Sequence, residues 1–97
     1  MTYTAEFLPK ARKELLDSWA WYEDRALGLG DRFEKEIFSK IEKIQSNPLH
    51  YPVRKGFHEA VVDDFPFMVI YKVIERNRQI LVVSVFHTSR NPKKKVR

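Results

Sequence analysis

His87 closes a β-branched run, Ile80-Leu81-Val82-Val83-Ser84-Val85-Phe86, and is followed directly by Thr88-Ser89-Arg90. A side chain that titrates near neutrality suits general acid or base work on a ribose hydroxyl or a leaving oxygen. Arg54, Lys55, Lys72 and Arg90 are the cations that could stabilise phosphate charge beside it, and Tyr71 could donate a hydrogen bond to a phosphate. RNA cleavage needs no more than this set. Each residue also has a plainer reading. His87 continues the alternate face Leu81, Val83 and Val85, so it could cap the core with one hydrogen bond, and a tyrosine inside Val69-Ile70-Tyr71-Lys72-Val73 is ordinary core.

Other chemistries are unsupported. His50, His58 and His87 lack the close spacing of a metal-binding pair, no glycine-rich phosphate loop is present, and no cofactor is expected. Without cysteine there is neither a disulfide framework nor thiolate chemistry, and a reducing cytoplasm is the natural compartment. The N-terminus lacks the pattern of a signal peptide and no apolar run is long enough to span a bilayer, so no membrane role is expected.

The elements that must position these residues are legible from periodicity. The chain of 97 residues is enough for one domain, expected over 1–92, with Lys93-Lys94-Lys95-Val96-Arg97 as a basic C-terminal tail. Tyr3, Ala5 and Phe7 alternate with Thr4 and Glu6, the period of a half-buried strand. Pro9 suits the first turn of a helix, and Leu8, Ala11, Leu15, Trp19, Tyr22 and Ala26 follow at helical spacing up to Gly28. Asp31 and Glu34 have capping-box spacing before a second stripe, Phe33, Ile37, Ile41 and Ile44, which Asn47-Pro48 ends.

So short a link makes the helices an antiparallel hairpin. Residues 47–57 read as a loop with a short extended piece near Val53, His58–Val62 as a strand, and Phe65–Val73 and Ile80–His87 as the central strands of a small antiparallel sheet. The expected class is α+β, in the order β-α-α-β-β-β, with the hairpin laid on the sheet. A formal charge of +5 suits a nucleic acid or an acidic protein segment, or serves solubility alone. Trp21 is the discord in the first helix. Two residues after Trp19 it lies nearly opposite, near Glu14, Asp17, Ser18 and Arg25, so it marks a protein interface or tucks under a neighbouring element.

Taken in order, Ala11 with Leu15, Trp21-Tyr22-Glu23, Gly28-Leu29-Gly30 with Phe33, Asn47-Pro48, Phe65-Pro66-Phe67 leading to Tyr71, and His87 with Arg90 and Pro92 resemble the RelE/ParE superfamily of type II toxin–antitoxin toxins, also described as plasmid stabilisation proteins. The resemblance covers nearly the whole chain. It implies a cytoplasmic growth-inhibiting toxin neutralised by a cognate antitoxin, for which Trp21 is a candidate contact. The superfamily divides by target. RelE-like members cut messenger RNA on the ribosome, with basic residues on the sheet and a tyrosine or histidine near the last strand; ParE-like members poison DNA gyrase. His87, Arg54 and Lys55 fit the first branch. Met68 stands where ribonuclease-type sequences often carry an arginine, and Glu59 lies in a stretch that is often basic. Losing one phosphate-stabilising donor costs on the order of 3 kcal/mol in the transition state. Three readings follow: an endoribonuclease acting through His87 and the cations, a toxin that grips a protein such as gyrase, and a degenerate member that binds only its antitoxin.

Overall fold

A computed structural model describes residues 3–89; Arg90, Pro92 and the basic tail lie outside the described residues. The order is β1 (Thr4–Phe7), α1 (Pro9–Arg25), α2 (Leu29–Ser46), β2 (Val53–Arg54), β3 (Phe57–Val61), β4 (Phe67–Ile74), a 3-10 turn (Glu75–Asn77) and β5 (Gln79–His87). The α+β class and the helical hairpin are as the periodicity requires. The sheet has one strand more than expected, because Val53–Arg54 pairs with β3, and its order is β1-β5-β4-β3-β2. It is also mixed. β1 runs parallel to β5, since the two helices carry the chain back across the sheet between them.

One face of the sheet receives both helices. Ala11 and Leu15 from α1, and Phe33, Ile37, Ile41 and Ile44 from α2, pack against Ala60, Phe67, Val69, Tyr71, Ile80, Val82 and Val85. Ala26, placed in the first stripe by spacing, falls beyond the end of α1 and is exposed. The strand face differs from the one read by simple alternation. Ile70 pairs with Ser84 but Tyr71 with Val82, so Val83 is an extra residue and the core side of β5 reads Ile80, Val82, Val85, His87.

The hairpin between the helices is built differently from the expected capping box. Asp31 instead accepts a hydrogen bond from the Trp19 indole (2.9 Å), and the carboxylate reaching the start of α2 is Glu23 of α1. Its two oxygens accept the backbone N–H groups of Gly28 (2.8 Å) and Gly30 (2.9 Å), which places negative charge where a helix N-terminus favours it. This contact brings the two backbones close together. A Cβ on Gly30 would lie 2.6 Å from the Trp19 carbonyl oxygen and 2.9 Å from Glu23 Oε1.

Gly30→Ala sets two effects against each other. Helix propensity favours alanine by about 1 kcal/mol, while overpacking against a backbone atom that cannot swing aside costs about 1–3 kcal/mol. The clash should win, lowering the urea midpoint; an unchanged or raised midpoint would contradict the close approach.

Candidate functional site

β5 carries His87 to one end of the sheet, opposite Phe67 of β4 and on the helix-covered face. The imidazole meets the Phe67 ring edge-on, with centroids 4.9 Å apart, and its Nδ1 accepts the backbone N–H of Ser89 at 3.2 Å. An Nδ1 that accepts a hydrogen bond puts the proton of the neutral ring on Nε2. Phe67 in turn packs with Tyr22 (6.2 Å), and Tyr22 with Trp21 (5.1 Å), so ring contacts link Trp21 to His87 at this end of the molecule. Trp21 is 46% exposed, and the Arg25 guanidinium lies 3.8 Å from its ring centroid. The helix surface around it is therefore a tryptophan covered by an arginine, the two residue types most often found as interface anchors.

Tyr71 is elsewhere and already occupied. Fully buried on the core face, it donates its hydroxyl to the Pro48 carbonyl at 2.6 Å and stacks on His58, whose centroid is 4.9 Å away. His58 Nδ1 lies 2.8 Å from the Tyr51 carbonyl oxygen. Together these contacts tie the loop after α2 to the sheet. Burial, and secondarily the proximity of Tyr51, pushes the Tyr71 phenol well above its ordinary value.

Arg54, Lys55 and Lys72 gather at the opposite end. Arg54 pairs with Phe57, and the next strand places Lys72 beside that ring, its ammonium 5.4 Å from the centroid. Lys55 and Gly56 form the two-residue turn of the β2–β3 hairpin, both with positive φ (54° and 85°). Lys72 lies five steps along β4 from Phe67, the position paired with His87, about 17 Å along the strand, and points to the other face. The structure thus joins Arg54, Lys55 and Lys72, joins His87 to Trp21 through the aromatic contacts, and keeps the two groups apart. Between them the face opposite the helices is apolar and buried at its centre: Met68 pairs with the buried Phe86, and Ile70, beside Glu59, is 1% exposed. Arg90 falls outside the described residues.

Glu14 is the residue that sequence reasoning missed. Beyond the end of β1, its carboxylate oxygen accepts both the Ser84 hydroxyl (2.8 Å) and the Val85 backbone N–H (2.9 Å), fastening α1 along the edge of β5 beside the extra residue. No local spacing marks a contact spanning about seventy residues, so nothing in the sequence could have found it. Among the described residues no group of three His, Asp or Glu side chains could hold a metal ion, and no helix is long and apolar enough to cross a membrane.

One strand, a helical hairpin and four further strands, in this order, complete the five-stranded sheet. Residues 5–92 match the family described as the ParE toxin of the type II toxin–antitoxin system parDE, and the chain belongs to that family. Solved structures share the fold. A chain of the chromosomal ParDE system from P. aeruginosa superposes with a TM-score of 0.75 at 14% identity, covering 91% of this chain and 98% of that one. The intact E. coli RelBE toxin–antitoxin complex gives 0.68 at 20% identity, with 91% and 99% covered. An E. coli RelE mutant in complex with an antitoxin RelBc peptide gives 0.66 at 20%, with 100% and 97% covered. None of the curated proteins compared matches this sequence.

Tyr71→Phe should cost about 1–3 kcal/mol in urea unfolding, because it leaves the Pro48 carbonyl without its donor in the core. The phenol also gives the wild type an alkaline signature. With its folded pKa raised above the ordinary 10.0, Tyr71 stays neutral in the folded chain while the unfolded chain ionises, so stability is whole below that value and falls as pH rises through it. The decline should be shallower in Tyr71→Phe; identical alkaline profiles would contradict the burial.

Proposed function

We propose that this toxin inhibits growth by gripping a protein target, DNA gyrase in the manner of the ParE-like branch, and not by cleaving RNA. The observation that carries this reading is the separation, among the described residues, of those that RNA cleavage would need. His87 packs against Phe67 on the helix-covered face, whereas Arg54, Lys55 and Lys72 lie at the other end, and Tyr71 donates to Pro48 inside the core. General acid–base catalysis requires donor, base and charge stabiliser within hydrogen-bond reach of one substrate atom. The lack of a cation among the described residues at the centre of the other face, where Met68 pairs with Phe86 and Ile70 is buried, supports the same reading.

The partner in this proposal is a cognate antitoxin in the cytoplasm, as the structural relatives are themselves components of toxin–antitoxin complexes. Trp21, exposed and covered by Arg25, is its proposed anchor.

Induced alone, the protein should arrest bacterial growth, and co-expression of its antitoxin should restore it. His87→Ala should remain toxic, and purified protein should block supercoiling by gyrase without cutting messenger RNA. Loss of toxicity in His87→Ala, together with mRNA cleavage by the wild type, would establish the endoribonuclease instead. No growth arrest at verified soluble levels would leave only the degenerate member.

Trp21→Ala should weaken the antitoxin complex by more than about 1 kcal/mol in calorimetry while the domain stays folded. Unchanged affinity would remove Trp21 from the interface.

A further inference from the structure

Charge is divided unevenly between the two layers. α1 carries Lys10, Arg12, Lys13 and Arg25 against Glu14, Asp17, Glu23 and Asp24; α2 carries Arg32, Lys35, Lys40 and Lys43 against Asp31, Glu34, Glu36 and Glu42. The helical layer is therefore balanced, and the ion pairs Lys10–Glu14, Lys13–Asp17 and Arg25–Asp24 lie on or between its residues. The sheet is polarised. Asp63 and Asp64 follow β3 at the end where His87 lies, while Arg54, Lys55, Lys72, Arg76 and Arg78 collect around the β2–β3 and β4–β5 turns at the other.

Arg54, Lys55, Lys72 and Arg76 are all exposed, and none forms an ion pair with a described residue. Two of the nearby carboxylates are engaged by neutral donors, Glu6 by the Gln79 amide (2.7 Å) and Glu75 by the Tyr3 hydroxyl (2.7 Å). Large aromatic surface at this end is covered from within: Lys72 lies over Phe57, and the Arg78 guanidinium stands 4.5 Å from the Tyr3 ring centroid. These cations span β2 to the β4–β5 turn, about three strand spacings or 14 Å. That length corresponds to about four base-pair rises along the axis of a duplex.

We propose that this end of the sheet binds the phosphate backbone of a duplex nucleic acid. An acidic amphipathic protein segment would require open apolar surface for its anchors, and a single strand would require free aromatic rings on which bases stack. Here the Phe57 and Tyr3 rings lie against the cations' own side chains, and Val53, the exposed apolar residue beside Arg54, is a single anchor and not the row that an amphipathic segment requires. Such contact positions a duplex without reading its sequence. It is a binding function separate from the protein target proposed above, and its test does not depend on toxicity.

The full chain is titrated against a short labelled DNA duplex and an RNA duplex of equal length by fluorescence polarisation, between about 50 and about 200 mM salt. With four phosphate contacts from this patch, affinity for the duplex should fall roughly a hundredfold or more across that range. Arg54→Gln with Lys72→Gln should reduce the log–log salt slope by about 2 and weaken low-salt binding at least roughly tenfold. Lys10→Gln with Lys13→Gln, on the balanced helix, should change neither. Equal losses for both duplexes identify the shared backbone, and a loss confined to one identifies its source as DNA or RNA. A slope unchanged by the Arg54/Lys72 pair would overturn the proposal by assigning duplex binding to other residues. So would a result in which polyglutamate, but not either duplex, depends on the pair, which would make the patch a site for acidic protein.

Discussion

Val83 has no partner across the β4–β5 ladder, and much of the arrangement depends on this one unpaired residue. By shifting the pairing between Ile70 and Tyr71, it lets Ile80 and Val82 on one side, and Val85 and His87 on the other, share the helix-covered face. A bulge also bends and twists the strand that contains it. Here the strand is met at that point by α1, where Glu14 accepts both Ser84 and the Val85 backbone N–H. The backbone beyond the short β1 would otherwise present an open edge, and a side chain of the helix takes the place of the missing strand.

Three polar contacts of this kind hold the layers in register. Glu14 joins α1 to β5, Glu23 joins α1 to the start of α2, and the Tyr71 hydroxyl joins β4 to the loop after α2. Each satisfies backbone groups that no regular ladder reaches, and leaving such a group unpaired inside a fold costs more than the hydrogen bond gains. Tyr71 is the clearest case of a residue with two readings. Its phenol is a plausible phosphate donor in isolation, yet in the fold the hydroxyl is already committed to Pro48 and screened from water.

The same architecture separates chemistry by distance. A strand about 17 Å long between its functional ends cannot bring His87 and Lys72 to one phosphate, whatever their individual suitability. The ends of the molecule differ in character: aromatic and histidine-bearing at one, cationic at the other. The helices contribute no net charge of their own, so the polarity of the surface resides in the sheet and its turns.

Local order was legible from residue spacing. The stripe Phe33, Ile37, Ile41 and Ile44 is buried as its period requires, Pro9 opens α1, Asn47 ends α2, and the two β-branched runs are the central pair. These features depend on the 3.6- and 2-residue periods and on turn chemistry, which act between near neighbours. Tertiary structure decided what distant residues do to one another. It moved the cap of α2 from Asp31 to Glu23, made β1 a parallel partner of β5, added β2, and changed the core side of β5 by one residue. The positions of His87, Arg54 and Lys72 were readable, but their separation was not, because strand order and register are set by packing across the whole sheet and no local period encodes them.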